Sequence, residues 1–129
     1  MGRESIAASI CGRDDDQTYT RGMDRVERKQ LLGKEAERIT RFLVDRGASL
    51  VVAFGSFARD EVRSVSDLDM IAVMESDLSF IKRLDGLYAE LVPSAGLDLL
   101  VYTPEEWEYM RERSFIRQAL AEGQVLHAA

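Results

Sequence analysis

The chain has 129 residues, 46% of them apolar, and a net charge of −6. Those values set one domain with a modest core and argue against a large non-specific nucleic-acid footprint. One Cys, no apolar run near the ~20 residues of a membrane span, and no basic-then-apolar leader leave the cytoplasm as the expected location.

Residues 1 to 22 hold scattered glycines and the triplet Asp14-Asp15-Asp16, with little periodicity. They read as a flexible N-terminal tail, and the triplet as a solvated acidic stretch rather than a metal site. Residues 23 to 129 read as the single folded domain. From Asp24 to Arg46, Leu32, Ala36, Ile39 and Leu43 recur at helical spacing, and Gly47 is a natural stop. Ser49 to Phe54 is an apolar strand. A short helix is expected after Ser56, starting at Phe57, then a polar link from Arg63 to Ser66. Asp67 to Met74 forms the second strand.

Phe80, Leu84, Leu87, Tyr88 and Leu91 predict a second long helix, closed near Pro93. Leu97 to Tyr102 is a third strand. Thr103 caps the next helix, Pro104 suits its first turn, and Glu106 completes a capping box. A last helix is expected over 114 to 122, ended by Gly123, with a short strand over 124 to 127. This order predicts an α+β domain: a small mixed sheet with helices packed mainly on one face.

Chemistry concentrates at a few points. Gly55-Ser56 follows a buried strand, and ten residues later comes Asp67-Leu68-Asp69. Residues two apart on a strand share a face, so Asp67 and Asp69, about 6.6 Å apart along the strand axis, point the same way. Asp98 interrupts the third strand. Gly-Ser alone is a common loop dipeptide, and Asp-x-Asp alone a common strand start. Three acids set into apolar strands are another matter, because buried carboxylates need partners or metal ions. Gly55 lets the backbone approach a phosphate, and the Ser56 hydroxyl can donate to it. His127 is the only histidine and sits near the C-terminus, which suggests a frayed end or incidental packing. That removes histidine-based acid–base schemes, and Cys11 in the tail has no partner for nucleophilic chemistry.

At Gly55, Ser56, Asp67, Asp69 and Asp98, with Phe57-Ala58-Arg59 after the turn, the chain resembles the minimal nucleotidyltransferases of the DNA polymerase beta superfamily. The resemblance runs from about residue 24 to the C-terminus. It departs at Asp60, where many members carry Gly. It implies a polymerase beta-like core and a substrate such as ATP or another NTP. It also implies two Mg²⁺ ions held by Asp67, Asp69 and Asp98, with Asp98 taking the acceptor's proton. Arg59, flanked by Asp60 and Glu61, reads as a surface ion pair.

Larger relatives carry an added acceptor-holding domain. Minimal members resemble the antitoxin half of a pair with a helical HEPN-type toxin, whose usual Arg-x(4–6)-His motif is absent here. The leading expectation is transfer of AMP to a tyrosine of that partner. The alternatives are an interaction protein that neutralises its partner by binding alone, and transfer to a small molecule such as an aminoglycoside.

Overall fold

The computed structural model describes residues 23–129. The expected tail, residues 1–22, lies outside the described residues, as do Cys11 and the Asp14–Asp16 triplet. Helix α1 spans Arg25–Asp45. The Asp24 carboxylate accepts from the Glu27 N–H while the Glu27 carboxylate accepts from the Asp24 N–H, so two orphan donors are met at once. Leu32, Ala36, Ile39 and Leu43 are all buried, as their spacing predicts. Gly47 ends the helix at φ +96°, a conformation that favours glycine.

Strand β1 is Leu50–Phe54, and the single-turn helix α2 is Gly55–Ala58. The short helix thus starts at Gly55, two residues before its expected first residue, and the Gly-Ser pair forms its first half. Strand β2 is Leu68–Val73, α3 is Phe80–Leu91, and β3 is Leu97–Tyr102. Helices α4, Pro104–Met110, and α5, Ser114–Glu122, follow, and β4, Gln124–Ala128, closes the chain. The Thr103–Glu106 capping box forms as expected. His127 does not fray: it lies in β4, paired with Val51.

The sheet order is β3-β2-β1-β4. Strand β1 is antiparallel to both β2 and β4, whereas β2 and β3 run parallel. A parallel pair needs a long crossover, which α3 supplies. Side chains alternate across the sheet, so it has two apolar faces. Met70, Ala72, Leu99 and Val101 pack against α1 and α3. Ile71, Val73 and Tyr102 pack against Trp107 of α4 and Ile116 and Ala119 of α5. The two long helices share one face, in line with expectation. The two later helices cover the other, because β2 is apolar on both sides.

Two buried charges brace this frame. Glu35, on the inner side of α1, accepts two bonds from Arg38 and one from the Ser94 N–H. The Arg38 bonds hold its carboxyl below the usual carboxylate range despite burial. Arg83 of α3 donates to the Val101 carbonyl at 2.7 Å, the Leu78 carbonyl at 2.8 Å and the Glu106 carboxylate at 2.9 Å. It thereby ties α3, β3 and α4 together. We expect Arg83→Met to lower unfolding free energy by about 3 kcal/mol, because it strands the Leu78 and Val101 carbonyls and takes the cation from Glu106. Urea denaturation reads this directly. Stability near wild type would mean those groups find other partners.

Candidate functional site

Register builds the site. Parallel pairing sets Asp69 of β2 directly beside Asp98 of β3. Antiparallel pairing sets Phe54, the last residue of β1, beside the same Asp69. The Gly55-Ser56 turn therefore leaves β1 at the level of the two acids. Asp67 lies one step before β2, next to Gly96, whose carbonyl accepts from the Leu68 N–H. All five residues singled out in the sequence thus gather at one end of the sheet.

Two glycines make room for carboxylates. A Cβ on Gly55 would stand 2.2 Å from Asp69 Oδ2, and Gly55 has φ +72°. Only glycine meets both conditions without strain. A Cβ on Gly96 would stand 2.1 Å from Asp67 Oδ1. Sequence reasoning missed Gly96. The available signal was a glycine immediately before the third strand, at the level where its neighbour carries Asp-x-Asp.

The electrostatics record crowded negative charge. Asp69 is half-buried, while Asp67 and Asp98 are exposed. Burial pushes the Asp69 carboxyl up to about 6, helped by the charge of Asp98, a hydrogen bond with Asp98, and the charge of Asp67. Arg59 pulls weakly the other way. It is turned toward other partners, donating to Glu61 at 3.0 Å and to Glu122 at 2.9 Å, which is the surface ion pairing expected of it. Asp60, at φ +59°, takes the left-handed conformation that explains why glycine is frequent there. Its carboxylate pairs with Lys29. An Asp in that conformation is tolerated better than most residues.

Among the described residues, no three His, Cys, Asp or Glu side chains already surround a common point suited to a metal ion. Asp67 is turned to Gly96 and Asp69 to Gly55. The donor chemistry nonetheless fits a hard divalent cation. All three groups are carboxylates, and their mutual repulsion is what a cation would relieve. A concavity of about 520 Å³ lies elsewhere, between α1, Phe57 and β4. It contains none of the five residues, so the clustered acids with a raised pKa locate the site better than size does.

Comparison with known proteins follows the same lines. The family model described as the nucleotidyltransferase domain matches residues 34–127. No curated protein sequence matches the chain. Among solved structures, it is similar to one described as a nucleotidyltransferase from Sulfolobus solfataricus, with 20% identity and a TM-score of 0.53 over 70% of this chain and 84% of that one. It is equally similar to a chain of a toxin–antitoxin structure with AMP-PNP, with 22% identity and a TM-score of 0.53 over 73% of each chain. A mutant of the MntA–HpeT toxin–antitoxin gives 20% identity, 73% of each chain and a TM-score of 0.53. At these identities the likeness is one of fold.

The raised Asp69 pKa has a consequence for stability. An acid whose folded pKa lies above its unfolded value costs nothing below the lower value, and its full cost appears above the higher. For Asp69 that window runs from 3.8 to about 6. In chelator-treated protein at pH 7, Asp69→Asn should therefore stabilise the fold. After screening by the solvent that reaches this half-buried group, the gain should be about 1–2 kcal/mol. It should vanish near pH 3.5. Thermal melts across that range test it, and an equal effect at both ends would sink the argument from a buried charge.

Proposed function

The chain belongs to the nucleotidyltransferase domain family, whose model covers residues 34–127, and on that footing we propose that it transfers AMP from ATP to a hydroxyl of a toxin partner, as the antitoxin of the pair. The observation that carries this reading is the register of β1, β2 and β3. It brings a glycine turn that admits close backbone approach within reach of three carboxylates.

In this reading Gly55 admits the triphosphate to the backbone, and the Ser56 hydroxyl donates to a phosphate oxygen. Asp67, Asp69 and Asp98 would hold two Mg²⁺ ions. Bound there, magnesium would offset the triphosphate charge and stabilise both the attacking and the leaving oxygens. The acceptor oxygen forms a bond to the α-phosphorus as the bond to the β-phosphate oxygen breaks, and pyrophosphate departs. Asp98 takes the hydroxyl proton. Its position suits that role, being exposed on the edge strand β3, where an incoming acceptor can reach it. Asp69, half-buried beside Gly55, is better placed to face the nucleotide.

Two considerations support the acceptor assignment. The structures that share this fold include toxin–antitoxin complexes, one of them with AMP-PNP. An acceptor must also reach Asp98 at the exposed edge strand β3. A helical HEPN-type protein with a tyrosine hydroxyl fits that requirement. No helix among the described residues is long and apolar enough to cross a membrane, and the cytoplasm is the proposed location.

The test uses four NTPs labelled at the α-phosphate, Mg²⁺, host lysate and the purified chain. We expect label from ATP in one protein band. The double variant Asp67→Asn/Asp69→Asn should cut transfer by about 10²-fold or more. Transfer at wild-type rate by that variant would remove the acids from the mechanism. Label in RNA or a small molecule would keep the transferase and discard the antitoxin role. Partner neutralisation by the variant with no label anywhere would favour a protein that acts by binding alone.

A further inference from the structure

Beside the Gly55 turn, on the side away from Asp98, a cavity of about 300 Å³ opens between the end of β1 and α5. Its α5 wall is one helix face: Phe115, Gln118, Ala119 and Glu122 stand three and four residues apart. Ala119 is small and buried, which leaves depth. The Phe115 ring is 60% exposed, although it meets the edge of Phe54 at 6.0 Å and 87°. An aromatic face left open on a polar-rimmed cavity is a platform for a flat ring.

The polar rim is arranged asymmetrically. Gln118 Nε2 donates to Glu122 Oε2 at 3.0 Å, and Arg59 Nη1 donates to Glu122 Oε1 at 2.9 Å. One Gln118 N–H is thus engaged, and the amide keeps its second N–H and its Oε1 acceptor beside the remaining lone pairs of Glu122. Such an edge can both donate to and accept from a base. Stacking area favours a purine over a pyrimidine.

We propose that this cavity receives the nucleobase of the NTP, with Phe115 stacking on it and the Gln118–Glu122 edge bonding to its rim. The proposal rests on the nucleotidyltransferase reading of the Gly55 turn and deepens it. The base then lies against α5, the phosphates pass Gly55, and the acceptor approaches from β3. The cavity's own wall includes Gly55, so base and phosphate subsites are continuous.

Isothermal titration of the full chain in Mg²⁺ separates the two ideas, with ATP, GTP and inorganic tripolyphosphate as ligands. Wild type should bind ATP and GTP about tenfold or more tighter than tripolyphosphate. Phe115→Ala should weaken ATP about tenfold while leaving tripolyphosphate unchanged, and Phe115→Trp should restore ATP. Phe115→Leu keeps an apolar contact with Phe54, so weak ATP binding by a folded Leu variant supports the ring and not the packing. If ATP and tripolyphosphate bind wild type equally, the base makes no contact and this proposal falls while the phosphate site stands. If Phe115→Ala weakens both ligands alike, the ring is structural and the proposal falls again. If wild type binds neither, the nucleotide reading of the turn fails and takes this one with it.

Discussion

The structure turns on a repulsion it does not avoid. Two adjacent parallel strands hold Asp69 and Asp98 at the same level, with Asp67 one step earlier. Like charges on facing positions destabilise a sheet, and here the backbone register leaves them no way apart. The raised Asp69 pKa records that confinement, through burial first and the charge of Asp98 second. A site of this kind persists only where the rest of the molecule over-determines it. Here β2 does so by being apolar on both faces beyond Asp69, from Met70 to Val73, with α1 and α3 on one side and α4 and α5 on the other.

The same constraint explains why glycine stands at two places around the acids. Gly55 and Gly96 flank β2 from its two neighbours, β1 and β3. Each leaves the volume into which one carboxylate turns. Their roles differ in conformation. Gly55 needs both the space and a positive φ, whereas Gly96 needs the space alone. A substitution at Gly96 therefore bears on Asp67 more than on the backbone, and one at Gly55 bears on both.

Much of this was legible in the sequence because the relevant signals are local. The helical spacing of Leu32, Ala36, Ile39 and Leu43, the Thr103–Pro104–Glu106 start and the Gly-Ser and Asp-x-Asp pairs each act over a few residues. What stayed hidden is non-local. Arg83 reads as an ordinary polar position on α3, yet it is buried because carbonyls of β3 and the preceding loop converge on it. Gly96 gains meaning only once β3 pairs with β2. The placement of α4 and α5 on the second face depends on β2 burying both sides, and Asp69 in an otherwise apolar run masks that. Phe115 is apolar in type, yet it is 60% exposed because Ile116 takes the inward position.

Asp60 shows how a departure from a family pattern can be absorbed. Glycine is frequent at this point because the backbone there is left-handed, and Asp60 takes the same conformation at φ +59°. Leaving the fold of the turn intact, the side chain faces Lys29 of α1, away from the acids of β2 and β3. That pairing is exposed and adds little stability. Its effect is directional: it anchors the end of α2 to α1, while Arg59, one residue earlier, reaches the opposite way to Glu122 of α5. The turn after Gly55-Ser56 is thus tied to helices on both faces of the sheet. The turn that closes against the crowded acids is therefore held from two sides, and Asp60 supplies one of the two tethers.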